Sequence, residues 1–211
     1  MNTKRAIGVE HFMDIYGQHR PLMEKIMNDL VWKIESIARA ECGDKLFEHI
    51  TCRIKSDKSA RDKLKKKGLD PTDTNAILEL NDSIGIRVVC LFINDVYECV
   101  RLIKTIPGCS VVNEKDYINN AKPNGYRSYH MIVAIATDET DINGEQLRQY
   151  FAEIQLRTIA MDTWAALEHE LKYKKHIKDQ EMIVSELHRC ANDLAACDVS
   201  MQILRQIIRD I

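Results

Sequence analysis

The chain has 211 residues, 45% of them hydrophobic and 29% charged, with a net charge of −2 at pH 7. That length suits about one domain with a helical extension, and the composition is ordinary for a globular protein. A near-neutral charge argues against a protein that coats nucleic acid, no apolar run approaches the roughly 18 residues of a membrane span, and MNTKRAIGVEHF lacks the apolar stretch of a secretory leader.

The expected residence is therefore cytoplasmic, with no membrane partner. The seven cysteines are odd in number and form no C-x-x-C pair. Most of them read as small buried hydrophobes in a reducing compartment.

In chain order, residues 10–41 predict a long helix, with Phe12, Tyr16, Met23, Ile26, Leu30, Ile34 and Ile37 at three- and four-residue steps. EHITCRIK (48–55) predicts a strand, after which Ser56 or Asp57 caps a helix ending at Gly68. Residues 69–80, opened by Asp-Pro, predict a loop. SIGIRVVCLF (83–92) predicts a buried strand, and Asn94 is expected to cap a helix that stops at Pro107-Gly108. SVVNEKDY and SYHMIVAIAT predict two more strands around a polar loop, Asn119 to Arg127. Asn143-Gly144 signals a turn before the last strand, QYFAEIQLRT (149–158), and a helix follows from Ile159 to Tyr173.

The tail, 179–210, spaces Ile183, Leu187, Cys190, Leu194, Cys197, Met201, Leu204 and Ile208 alternately four and three apart. That is a heptad seam, expected either to pack on the first helix as core or to join copies in a coiled coil. Strands and helices mix without strict alternation. The expected class is α+β, a mixed sheet of about five strands flanked by helices, with long helices at both ends.

Between Arg53 and Lys67 the net charge is +6, which leaves −8 on the other 196 residues. A local positive patch on an acidic body suits a compact polyanion such as a triphosphate; a solvated helix face is the plainer alternative. Lys55, Ser59, Lys63 and Lys66 fall at steps of four, four and three and share a face, and Arg53 points to the side of Lys55. Arg and Lys converging in this way make a phosphate clamp from side chains. No G-x-x-x-x-G-K-[ST] or G-x-G-x-x-G loop offers the usual backbone cradle.

Asp82 at the mouth of one strand and Glu153 inside another are carboxylates among apolar residues. Mg²⁺, which takes one or two carboxylates plus phosphate oxygens, would account for both. In KPNGYRSYH (122–130), Pro and Gly shape a loop around Tyr126. Its ring, beside Lys122, Arg127 and His130, reads either as a base-stacking platform or as an inward-packed tyrosine.

R-I-K with S-x-x-x-K downstream, L-N-D-S-I-G-I-R, E-K-D-Y…K-P-N-G-Y-R-S-Y-H, E-I-Q-L-R-T and M-D-T-W-A-A-L-E-H-E-L-K-Y-K occur in one order. From about Phe47 to Lys175 this series resembles the synthetase domain of RelA/SpoT-type enzymes, in particular the stand-alone small alarmone synthetases. The resemblance implies a nucleotidyltransferase-like sheet and Mg²⁺-dependent transfer of the β,γ-pyrophosphate of ATP to the 3′-hydroxyl of GDP or GTP, giving (p)ppGpp for stringent-response signalling. It implies that Arg53 and Arg87 sandwich adenine while Lys55, Ser59, Lys63 and Lys66 hold the ATP phosphates. Asp82 and Glu153 would hold Mg²⁺, with Glu153 also taking the hydroxyl proton. Tyr126 would stack on guanine. Lys115, Lys122 and His130 would meet the acceptor's phosphates, and Asn124 and Gln155 would line its pocket.

The implied assembly is a homo-oligomer, a tetramer by analogy, with synthesis alone and no hydrolase domain. Lys115 replaces the Arg common in E-R-D-Y, keeping charge but losing the bidentate fork. His49 stands where members regulated by pppGpp carry an aromatic, although Thr51 is present, so the resemblance gives no expectation of that control. The rivals are a pyrophosphokinase acting on tRNA, which calls for a further basic surface, and a non-catalytic nucleotide- or RNA-binding module, which has no need of two metal carboxylates. Stable DNA binding is not expected, and RNA is left open.

Overall fold

A computed structural model describes residues 14–42, 45–140, 149–173 and 180–210. Five strands form one mixed sheet in the order β1-β2-β5-β4-β3: β1 (Phe47–Ile54), β2 (Ile84–Cys90), β3 (Cys109–Asp116), β4 (Tyr129–Ala136) and β5 (Gln149–Thr158). β2 and β5 run parallel in the centre, and the other pairs are antiparallel. The helices are α1 (Arg20–Cys42), α2 (Asp57–Lys66), α3 (Asp73–Leu78), α4 (Ile93–Ile103), α5 (Ile159–Tyr173) and α6 (Gln180–Arg209).

The alternation of strand residues divides the sheet into two faces. Ile84, Ile86 and Val88 of β2, Met131 and Val133 of β4 and Ala152, Ile154 and Leu156 of β5 join one buried cluster with the apolar stripes of α1 and α4. The intervening residues, Arg87, His130, Glu153 and Gln155, lie on the opposite face and are polar. A single core therefore anchors the strands that carry the polar set.

Several expectations need correction. The first helix starts at Arg20, after a 3-10 turn over Gly17–His19, rather than near residue 10. Gly17 takes φ +50°, outside the helical region, and Pro21 falls in the first turn, where its missing N–H costs nothing. Tyr16 is buried ahead of the helix, and Phe12 lies outside the described residues. The expected loop 69–80 contains α3, whose N-cap Thr72 accepts from the Asn75 N–H at 3.2 Å.

Asn94 does not cap α4. The helix opens after Phe92, and the Asn94 N–H is satisfied by Gln202 Oε1 of α6 at 3.2 Å. The Asn143-Gly144 turn falls outside the described residues.

The tail helix packs on α5 and α4 rather than on the first helix. Ala191 and Asp198 are its buried residues, while Cys190, Cys197, Met201, Leu204 and Ile208 of the heptad seam are exposed. Polar links fasten it to the body. Trp164 Nε1 donates to the Leu187 carbonyl at 2.8 Å, Thr158 Oγ1 donates to Asp198 Oδ2 at 2.6 Å, and Arg205 pairs with buried Asp95. Among the described residues no helix is long and apolar enough to cross a membrane.

Candidate active site

The register aligns two rows of residues across the polar face. One runs Lys115, His130, Gln155, Arg87, Thr51; the next runs Asn113, Ile132, Glu153, Gly85, Arg53. A cleft of about 210 Å³ at the β1–β2 side is lined by Arg53, Lys55, Asp82, Arg87, Glu153 and Gln155, among others. A Cβ at Gly85 would make only ordinary contact with Arg53, 3.8 Å from its Cγ. A second pocket on the β3–β4 side is lined by Lys115, Tyr117, Lys122, His130 and Glu153. Glu153 borders both.

In the first cleft Asp82 Oδ2 accepts from Lys55 Nζ at 2.9 Å and from Lys63 Nζ at 2.7 Å. Burial alone would raise the Asp82 pKa, but the hydrogen bonds from Lys63 and Lys55 outweigh it and hold the carboxyl below its ordinary value. Its other oxygen, Oδ1, is buried without a hydrogen-bond partner. Ser59 lies on the same helix as Lys63, its hydroxyl 2.9 Å from that of the N-cap Ser56. Ser59 and Lys66 are exposed, and of the residues expected to hold phosphates there only Lys55 lines the cleft; Lys63 reaches it through Asp82. Lys66 is the last residue of α2.

The residues around Glu153 are joined in a chain. Glu153 accepts from His130 Nδ1 at 3.1 Å and from Gln155 Nε2 at 2.9 Å. The other ring nitrogen of His130, Nε2, lies 2.7 Å from the Tyr126 hydroxyl, in hydrogen-bond contact. The His130 hydrogen bond, followed by that of Gln155, keeps Glu153 below the ordinary carboxylate value against the effect of burial. The Asp82 charge works the other way on Glu153, as two carboxylates in one site do.

Tyr126 is half-buried and stands edge-on to Tyr117 and Trp164, with Lys122 Nζ 4.8 Å from its ring centre. Asn124 shapes the loop: it donates to Glu168 at 3.0 Å and accepts from the Tyr126 N–H at 3.2 Å.

Residues 52–178 match the family described as "Region found in RelA / SpoT proteins". The chain belongs to that family. It is 38% identical over 149 residues to the GTP pyrophosphokinase YwaC of Bacillus subtilis (strain 168), covering 71% of this chain and 69% of that one. To the GTP pyrophosphokinase YjbM of the same organism it is 30% identical over 164 residues, covering 78% and 74%. Its fold is similar to that of the small alarmone synthetase 2 from Bacillus subtilis, with TM-score 0.76, 34% identity and coverage of 88% and 95%. For the small alarmone synthetase 1 from Bacillus subtilis bound to its product pppGpp the values are 0.74, 28%, 90% and 94%.

In this RelA/SpoT chain, sequence reasoning missed three residues at the site. Tyr117 forms a wall of the second pocket, edge-on to His130 with ring centres 5.3 Å apart. Buried Arg157 and half-buried Asp162 lie behind the first row. Odd-numbered residues of β5 from Glu153 onward share the polar face, a pattern that already marked Arg157 as a companion of Glu153 and Gln155.

Proposed function

We propose that the chain transfers the β,γ-pyrophosphate of ATP to the 3′-hydroxyl of GDP or GTP, as a GTP diphosphokinase producing (p)ppGpp. The observation that carries this reading is the single site in which Glu153 borders both pockets while Asp82 lies among the lysines of one of them. A reaction of this kind needs charge neutralisation and in-line alignment more than covalent help.

Asp82 and Glu153 fit a divalent cation, Mg²⁺ in our reading. The buried Asp82 Oδ1 has no partner, and the carboxylates repel each other. Among the described residues no group of three or more His, Cys, Asp or Glu competes for a metal. When bound, the ion would neutralise charge on the transferring phosphates.

Lys55, Lys63, Ser59 and Lys66 bind the donor triphosphate, and the Asp82 ion pairs are exchanged for phosphate contacts as it enters. Arg53 and Arg87, on neighbouring strands of one face, hold the adenine between them. Tyr126 stacks on the guanine, with Asn124 and Gln155 bordering it. Lys115, Lys122 and His130 meet the acceptor's phosphates. Glu153, held ionised at neutral pH by His130 and Gln155, takes the 3′-hydroxyl proton as that oxygen bonds to the β-phosphorus and AMP departs.

We further propose that the chain is one synthetase domain acting in the cytoplasm. Its terminal helices, α1 and α6, would build a homotetramer. The exposed Met201, Leu204 and Ile208 on α6 support such an interface. Incubation of the pure protein with labelled ATP, Mg²⁺ and GDP or GTP should place label on the acceptor, and its absence would end this reading. Light scattering at micromolar concentration should give the mass of four chains; a monomer would refute the assembly.

A further inference from the structure

Arg157 is buried and spends its guanidinium on four contacts. Nη1 donates to Asp162 Oδ1 at 3.0 Å, Nη2 to the Tyr126 hydroxyl at 2.6 Å and to Gln155 Oε1 at 2.8 Å, and Nε to Ser128 Oγ at 3.3 Å. Asp162, in the first turn of α5, offers the same Oδ1 to Arg87 Nη1 at 3.2 Å. Arg87 and Arg157 lie on the neighbouring parallel strands β2 and β5, and one carboxylate oxygen stands between their two positive charges. Neither Asp162 nor Arg157 lines the two pockets. Asp162 acts through Arg87, which lines the first cleft; Arg157 acts through Gln155, which lines the same cleft, and through Tyr126, which lines neither and meets His130 of the second pocket.

We propose that Asp162 and Arg157 form a positioning bridge between the two nucleotide subsites, Arg157 setting Tyr126 on the acceptor side and Gln155 between the subsites beside Glu153, and Asp162 holding both Arg157 and Arg87. The bridge rests on the reading of the pockets given under Proposed function. An ion pair serving stability alone would need only its own two partners. Here, besides the Ser128 hydroxyl, the remaining donors end on the Tyr126 hydroxyl, itself bonded to His130 of the second pocket, and on the Gln155 amide of the first cleft, and the Asp162 oxygen also meets Arg87 of that cleft. A planar fork fixes two partners at once, which an ammonium does not. The Gln155 amide is oriented by the same fork: its oxygen meets Arg157, so its nitrogen faces Glu153.

Asp162→Asn and Arg157→Lys in the full chain separate the subsites. Calorimetric titration with GDP and with a non-hydrolysable ATP analogue reads each one, beside KM, kcat and thermal melts. Losing a hydrogen bond to a charged group should weaken acceptor binding about tenfold in Arg157→Lys and change donor binding by less than about twofold. Asp162→Asn should weaken both nucleotides, each by about three- to tenfold. The double variant should lose less than the product of the two penalties, because both remove one bridge.

Normal binding of both nucleotides by the two variants overturns the proposal, as does a fall in kcat with both affinities intact. If Arg157→Lys melts early and loses both nucleotides alike, Arg157 is a packing residue; Asp162→Asn then judges the remaining half on its own. Wild-type protein that binds both nucleotides yet forms no product refutes the proposed reaction and leaves the bridge to the titrations. Wild-type protein that binds neither refutes both.

Discussion

The two halves of the site are built differently. On the proposed donor side, Arg53 comes from β1, Lys55 directly follows that strand and Lys63 comes from α2, and the two lysines converge on one oxygen of Asp82. These charges are paired with each other, and in the proposed reaction a polyanion takes the place of Asp82. On the proposed acceptor side, Glu153, His130, Tyr126 and Arg157 form a continuous hydrogen-bonded chain on β4, β5 and the loop before β4, joined by Gln155, which also lines the first cleft. One half stores charge, and the other holds geometry. The contrast fits a reaction in which a mobile triphosphate must be gripped while an acceptor hydroxyl is aimed.

The halves meet at Asp82 and Glu153, so the largest effects are expected there. Asp82→Gly or Glu153→Val should lower synthesis at least about 100-fold while leaving the melting temperature close to wild type, since loss of such a ligand removes several kcal/mol of transition-state stabilisation. A folded variant keeping a tenth of the activity would falsify the assignment. EDTA should silence the wild type, and added Mg²⁺ should restore it.

Next come the bases. Base stacking is worth about 1–3 kcal/mol, or roughly five- to 150-fold. Tyr126→Ala should weaken GDP or GTP binding by that order and leave ATP binding nearly unchanged, and Arg87→Ala should do the reverse. Tyr126→Phe keeps the ring but strips His130 Nε2 and Arg157 Nη2 of a shared partner. A net hydrogen bond of about 0.5–1.5 kcal/mol predicts a further two- to tenfold loss confined to the acceptor. Equal losses for both nucleotides in any of these variants would dissolve the distinction between the halves.

The donor half was more legible in the sequence than the acceptor half. Arg53, Lys55 and Lys63 follow from strand and helix periods, and Asp82 and Glu153 stand out as carboxylates among apolar neighbours. β5 and α5 carry the bounds expected, 149–158 and 159–173, because alternation and then helical spacing are unbroken there. The acceptor chain depends on contacts between residues far apart in sequence, such as Arg157 with Tyr126 across 31 positions. No local period encodes these. The six residues of α3 are too few to show a period, and the buried face of α6 turns on Ala191 and Asp198, neither of which belongs to the heptad seam.

A smaller effect tests how the acceptor loop is held. Gly125 takes φ +89°, and a Cβ there would lie 2.5 Å from Ala191 Cβ of α6, so helix and loop touch with no side chain between them. Gly125→Ala should cost about 1–3 kcal/mol from backbone strain, with steric contact added. For a chain of this size each kcal/mol lowers the melting temperature by about 2–4 °C. Adding Ala191→Gly should recover the steric share alone. Full recovery would mean that φ at 125 carries no strain, and no recovery would place α6 away from the loop. Acceptor affinity should fall more than donor affinity.

The smallest expected effect lies under the same loop, where α6 meets the end of β5. Asp198 is buried, and burial raises its carboxyl pKa above the ordinary value, with the Thr158 hydrogen bond and the Arg127 charge offsetting only part of the rise. A carboxyl with a raised folded pKa binds its proton more tightly folded than unfolded. Acidification toward the ordinary carboxylate range therefore favours folding, and above the raised value the buried charge opposes it. Asn at this position still accepts from Thr158 Oγ1 and carries no charge to bury. Asp198→Asn should therefore melt at or slightly above the wild-type temperature at pH 8, and its advantage should shrink as the pH falls toward about 4, where both side chains are neutral. Paired melts across that range decide the sign. A wild type that is the more stable at pH 8, with the gap closing on acidification, would show that Arg127 and Thr158 outweigh burial, and that this contact of α6 is held by charge.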